Sequence, residues 1–246
     1  MERLDKRLAA GGIGSRREVG ALIRAGRVGV GGAVCTQPAR KVEDEEITVD
    51  GAPLACPAHL TLMMNKPAGV LCVSRDNRPT VIDLVPAALR RRGLFPAGRL
   101  DKDTVGLVLL TDDGALAHRL LAPRRHVTKV YHAVLDAPID DALIREFESG
   151  MTLPGGELCA PAGLRVLPCL PQQTGEPPPA LPGAGAFVEI RLTQGKYHQI
   201  KRMFGKDGRR VLWLKRVAVG GLRLDGGLAE GDCRALTGEE ITKIFN

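Results

Sequence analysis

Aromatic residues are scarce, with two tyrosines, one tryptophan and five phenylalanines among 246 residues. The core must therefore be built largely from aliphatic side chains, and each aromatic that is left over is informative. No uninterrupted apolar run approaches the roughly 18 residues that suggest a membrane span. The N-terminus, M-E-R-L-D-K-R, carries acids and lacks the apolar centre of a signal peptide. A cytoplasmic protein that engages no membrane is the expectation. Six cysteines, at positions 35, 56, 72, 159, 169 and 233, stand singly without a C-x-x-C pair, which reads as reduced thiols rather than a disulfide framework. The histidines show no ligand spacing, so no metal site is expected. A regular strand–helix alternation with phosphate-binding glycines is also missing, which disfavours a nucleotide-cofactor fold. No cofactor is expected.

Charge is what the chain does have, and it is unevenly placed. The net charge is +7. Residues 1–42 carry +6 and residues 195–216 carry +7, so the remainder is an acidic body of −6. Localised basic segments attract polyanions, and neither segment offers the broad apolar face of an interfacial helix, so nucleic acid is favoured over membrane.

The first basic segment reads as a small folded module. Ser15 with Glu18 three residues later forms a capping box, and Gly26 is placed to end the helix that begins there. Val19, Leu22 and Ile23 share one face of that helix, while Arg16, Arg17 and Arg24 lie on another. Leu4 and Leu8 place a similar stripe on a preceding helix beside Arg3 and Lys6, and Val28 to Val34 around Gly31-Gly32 reads as a hairpin. An acidic run over 43–46 and the stretch Gly51-Ala52-Pro53 then mark the module's end, with the boundary placed at 58. This gives a module and linker over 1–58 and a larger domain over 59–246.

In the larger domain, strand patterns recur over 60–65, 106–111, 130–135, 187–192 and 211–214, and helical patterns over 113–121, 140–149 and 198–204. A mixed sheet domain follows. Residues 168–185 are too proline-rich for regular structure and read as a loop insertion. The most informative stretch is P-A-G-R-L-D-K-D-T-V-G-L-V-L-L-T-D-D-G over 96–114, because it places Asp101 immediately before a buried strand. A carboxylate there must be solvated or paired, and it is a candidate nucleophile.

This stretch resembles the signature of RNA pseudouridine synthases, in particular the RsuA type that acts on small-subunit ribosomal RNA. The resemblance extends to Asn65-Lys66-Pro67-Ala68-Gly69-Val70, to Pro79-Thr80-Val81, to Lys129-Val130-Tyr131 and to Gly195-Lys196-Tyr197-His198-Gln199-Ile200-Lys201-Arg202-Met203. The N-terminal pattern R-L-D-K-x-L-A, S-R-R-E, G-R-V-x-V-x-G resembles the alpha-L RNA-binding module. These resemblances imply an α+β fold, in which that module precedes a synthase domain built on a mixed, mainly antiparallel sheet with flanking helices.

They also imply roles. Asp101 is the nucleophile, Tyr131 the wall against which the target base rests, and Lys201 the cation paired with Asp101. Arg99 helps displace or replace the flipped nucleotide or contacts a phosphate. Lys66, Pro67 and Gly69 buttress the active loop and touch the RNA backbone. Lys129, Lys196 and Arg202 join Arg3, Lys6, Arg16, Arg17 and Arg24 as RNA contacts. The expected partner is small-subunit ribosomal RNA or its assembling ribonucleoprotein, met by a monomer. Two other readings are a synthase acting on large-subunit RNA and a non-catalytic RNA-binding assembly factor.

Overall fold

The computed structural model describes residues 2–11, 13–43, 45–54, 59–169 and 181–246. Most of the expected proline-rich loop, residues 170–180, lies outside the described residues, as does Cys56. The five described cysteines are free. No helix among the described residues is long and apolar enough to cross a membrane. The chain divides into two compact units, Met1–Leu60 and Thr61–Asn246.

In the first unit, helices Leu4–Ala10 and Arg16–Arg24 pack on short strands. The capping box is formed in both directions: the Ser15 amide donates to Glu18 at 2.7 Å, and the Glu18 amide donates to the Ser15 hydroxyl at 3.4 Å. Beyond the helix, Gly26 takes φ +74°, the left-handed setting that suits glycine after a helix end. Strands Val28–Val30 and Ala33–Val34 form the expected hairpin, with Gly31 and Gly32 both at positive φ, as a two-residue primed turn requires. Leu4, Leu8, Val19, Ile23, Val28 and Val30 are buried together, while Leu22 is only partly so.

The second unit is organised on one mixed sheet. Its main strands run, in spatial order, Gly163–Leu167, Ala186–Leu192, Lys129–Leu135, Val211–Val219, Val105–Thr111, Thr61–Lys66 and Cys233–Ala235. Every pairing is antiparallel except that of Val211–Val219 with Val105–Thr111. All seven residues of Val105–Thr111 are buried, which explains why this strand reads as a continuous apolar run rather than an alternating one. Helices Asp141–Ser149 and Gln199–Lys206 meet through Phe147 and Phe204, whose ring centroids are 5.0 Å apart.

One strand is longer than its sequence pattern indicates. The apolar run stops at Leu214, yet the strand continues to Val219, because Lys215 and Arg216 enter the interior at 0% and 5% exposure. The Arg216 Nε donates to the Leu107 carbonyl at 2.8 Å. The two short strands at the sheet's ends, Gly163–Leu167 and Cys233–Ala235, were not apparent from the sequence. Nor was helix Gly238–Lys243, although Thr237 and Glu240 form a capping box at its start.

Two features place the Asp101 turn. Gly106, at φ +98°, lies where the parallel strands meet; a Cβ there would stand 2.4 Å from the Arg216 carbonyl oxygen. Lys66, at the end of Thr61–Lys66, is fully buried. Its ammonium donates to the carbonyls of Pro67 at 2.9 Å, Lys102 at 3.1 Å and Thr104 at 2.9 Å. The Gly69 amide also donates to the Lys102 carbonyl, at 2.8 Å, and the Thr104 amide to that of Asp101, at 3.2 Å. The turn that follows Asp101 is thus tied both to the end of Thr61–Lys66 and to the neighbouring Pro67–Gly69 segment.

Gly106→Ala combines a disfavoured φ with a clash against backbone. The expected cost is about 2–6 kcal/mol, read as a lower urea midpoint or as loss of soluble protein. Burial pushes the Lys66 ammonium down to about 8. Between about pH 8 and the ordinary lysine value of about 10.5 the unfolded chain holds a proton that the native chain has released, so this residue adds stability as pH rises through that window. Urea unfolding of wild type and Lys66→Met across that window should show wild type gaining relative to the variant; parallel pH profiles would contradict the assignment.

Candidate active site

A cleft opens where four pieces of the second unit converge. The turn before Val105–Thr111 contributes Arg99, Leu100, Asp101 and Thr104; the central strand Lys129–Leu135 contributes Tyr131; the end of Ala186–Leu192 and the following loop contribute Leu192, Gln194, Gly195 and Lys196; and the start of helix Gln199–Lys206 contributes His198, Gln199, Ile200 and Lys201. Leu214 completes the wall. Strand alternation accounts for Tyr131 and Ala133 sharing one face, with Val130 and His132 on the other.

Asp101 and Lys201 are both about one-quarter exposed, and the Lys201 Nζ stands 3.7 Å from Asp101 Oδ2. The structure therefore brings together the carboxylate and the cation that the motifs single out. The closer partner of Lys201 is Asp103, however, at 2.5 Å. Burial pushes the Asp103 carboxyl up, but the hydrogen bond and charge of Lys201 override it and hold the group below its ordinary value. On the other side of Asp101, His198 Nε2 lies 3.5 Å from Oδ1. The carboxylate is thus flanked by an ammonium and an imidazole. Tyr131 is 8% exposed and forms part of the cleft wall.

Other expected site residues divide. Arg99 lines the cleft. Lys66 has no exposed surface and three carbonyl partners, so its ammonium is a strut beneath the Asp101 turn, which fits the expected buttress and leaves no surface for the expected backbone contact. Lys129 is also turned to its own chain, donating to the Thr193 carbonyl at 3.0 Å; burial, with the nearby Arg216 charge, pushes its ammonium down. Lys196 and Arg202 share Glu157 at 3.2 and 2.5 Å. In the first unit, Arg3 and Arg16 both hold Asp5, at 2.9 and 3.0 Å, and Lys6 pairs with Glu2 at 2.9 Å. Arg17 and Arg24 are exposed, and neither forms an ion pair among the described residues.

The second basic segment accordingly differs from its sequence reading. Lys196, Lys201, Arg202, Lys206, Arg209 and Arg210 each face a carboxylate, and Lys215 and Arg216 are buried. It is a paired surface around the cleft rather than an open basic face.

Three contributors escaped the sequence reading. Asp103 was visible only as a neighbour of Asp101. Thr104 is 2% exposed, and its hydroxyl has no hydrogen-bond partner among the described residues although it lines the cleft. Gln199 is buried and accepts from the Lys196 amide at 3.1 Å, shaping the turn into the helix. All three sit inside the quoted motifs, but the motifs do not say which of their polar residues face inward.

Comparison with known proteins gives the family. Residues 60–206 match the RNA pseudouridylate synthase family, and residues 2–47 match the S4 domain. The chain is 42% identical over 246 residues to the Bacillus subtilis (strain 168) protein described as an uncharacterized RNA pseudouridine synthase, YtzG, covering 97% of this chain and 96% of that one. It is 38% identical over 248 residues to ribosomal small subunit pseudouridine synthase A of Escherichia coli (strain K12), covering 98% and 99%. A crystal structure of a pseudouridylate synthase, 33% identical, superposes with a TM-score of 0.66 over 99% of this chain and 100% of that one. The chain belongs to the RNA pseudouridylate synthase family, with an S4 domain preceding the synthase domain, and is an isomerase that converts uridine to pseudouridine in RNA.

Proposed function

We propose that the substrate is one uridine of small-subunit ribosomal RNA, with Asp101 as the nucleophile. The observation that carries the chemistry is the convergence of Asp101, Lys201 and Tyr131 on one cleft. The substrate class is supported by the full-length similarity to a protein named for the ribosomal small subunit.

Pseudouridine forms when the bond from ribose to the base nitrogen breaks and a bond from ribose to a ring carbon replaces it. The nitrogen gains a proton, the carbon loses one, and no oxidant or energy source is consumed. A base stacked in RNA must first leave its stack to be reached. In this reading Arg99 occupies or braces the vacated space, and Tyr131 offers the extruded uracil a flat wall. Asp101 attacks the ribose anomeric carbon as the bond to the base nitrogen breaks, holding the sugar while the base turns; the ring carbon then attacks the same anomeric carbon, the bond to Asp101 breaks, and the carboxylate is regenerated. Lys201, divided between Asp101 and Asp103, pairs with the attacking carboxylate at 3.7 Å and helps hold it in place. The S4 domain supplies phosphate contacts through Arg17 and Arg24, and tethering raises the effective concentration of RNA at the cleft.

The test is pseudouridine mapping on purified small-subunit and large-subunit RNAs, naked and partly assembled, with wild type and Asp101→Asn. One new pseudouridine in small-subunit RNA is expected, reduced at least about a thousandfold in the variant while RNA binding persists. Product only on large-subunit RNA would overturn the substrate, and product from Asp101→Asn at wild-type rate would overturn the nucleophile. Separately, Arg17→Gln and Arg24→Gln should each flatten the dependence of log affinity on log salt by about 0.7–0.9. An unchanged slope in filter binding would remove both from the phosphate contacts.

A further inference from the structure

Tyr197 is 76% exposed, more than any other large apolar side chain among the described residues. In a chain with two tyrosines, leaving one in water is conspicuous, since aromatic rings normally contribute large buried areas. Its ring is not loose. It lies on the His198 imidazole with centroids 3.9 Å apart and 15° between the planes. His198 in turn approaches Asp101 at 3.5 Å. Outward from the reactive carboxylate, the order is Asp101, His198, Tyr197.

The backbone beneath this stack is fixed. His198 takes φ +48°, a left-handed setting that a non-glycine residue holds only when its surroundings impose it. The Arg202 amide donates to the His198 carbonyl at 2.9 Å, and the Arg202 guanidinium to the Tyr197 carbonyl at 3.3 Å. The Lys196 ammonium donates to the Leu158 carbonyl at 2.7 Å. An exposed ring carried on so constrained a turn is prepared for a flat ligand.

We propose that the outer face of Tyr197 is a stacking subsite for the nucleobase next to the target uridine in the RNA strand. The target itself cannot be the occupant: it must meet Asp101 inside the cleft, and the His198 ring stands between Asp101 and Tyr197. A base is the fitting chemistry because every base has a π face, so stacking on an aromatic ring tolerates sequence. Two aromatics then act at two depths, Tyr131 within the cleft and Tyr197 at its rim. This inference rests on the reading of the Asp101 cleft as the reaction site.

The test uses a transcript spanning whichever ribosomal uridine the wild type converts, in single-turnover assays across enzyme concentration. Wild type, Tyr197→Ala, Tyr197→Leu and Tyr197→Phe are compared on intact RNA and on RNA with an abasic residue on either side of the target. Tyr197→Ala and Tyr197→Leu are expected to raise the half-saturating concentration about 5- to 150-fold, more than they lower the maximal rate, with Tyr197→Phe restoring it. An abasic residue on one side should impose a similar penalty on wild type and add nothing to Tyr197→Ala. Half-saturation unchanged in Tyr197→Ala, penalties that multiply, or wild type indifferent to both abasic positions would each overturn the subsite. A loss confined to maximal rate would assign Tyr197 to holding His198 and also overturn it, as would stacking by a protein aromatic in a subunit particle with no effect on naked RNA. Conversion by Asp101→Asn would refute the reaction-site reading instead, a result separable from all of these.

Discussion

One buried ammonium fixes the geometry on which the cleft depends. Lys66 carries a charge into the base of the sheet and satisfies it with three carbonyls, two of them in the turn that bears Asp101. An ammonium has three donors and no acceptor, so the three carbonyls match it fully. That arrangement makes the turn rigid without using the Asp101 side chain, which is left to face the cleft. Burying a charge is costly unless it is bonded in this way, and the reward here is position rather than stability. The same division recurs at Arg216, whose Nε is committed to the Leu107 carbonyl beneath the adjoining strand.

The cations at the surface around the cleft follow a different logic. Most are matched with acids from elsewhere in the second unit, including Glu157, which serves two of them, Glu146, Asp136 and Asp140. Exposed pairs of this kind contribute only about 0–1 kcal/mol each, so their main effect is on the field. They cancel part of the local positive potential that the sequence suggests. In the N-terminal module, by contrast, Arg17 and Arg24 remain uncommitted to carboxylates among the described residues.

What was legible in the sequence follows the range of the forces involved. The Ser15–Glu18 capping box, the Gly31-Gly32 turn and the buried strand before Thr111 are local or nearly local, and their signals are written in adjacent residues. Asp101, Tyr131 and Lys201 were legible as members of ordered motifs, and the fold brings all three to one cleft. The failures are long-range. Lys66 was read as buttressing the active loop and also as touching RNA; which carbonyls it buttresses, 36 and 38 residues further along, was not legible, because carbonyls leave no mark on sequence. Strand Val211–Val219 was cut short because a Lys-Arg pair ordinarily signals surface. Asp103 competes for Lys201 because of a turn geometry that spacing alone does not specify.

The parallel junction between Val211–Val219 and Val105–Thr111 has a temporal consequence. It is short, with Lys215 opposite Val105 and Arg216 opposite Gly106, yet Arg216 and Leu107 are 109 residues apart in the chain. Contacts of such separation carry a large loop-closure entropy and form late. The cleft takes Asp101 from one side of this junction and Lys201 and Leu214 from near the other. During synthesis the N-terminal unit can fold while most of the chain has yet to emerge from the ribosome. The cleft, by contrast, is complete only once the strand through Val219 has docked beside Val105–Thr111, so the reaction site is among the last parts of the protein to form.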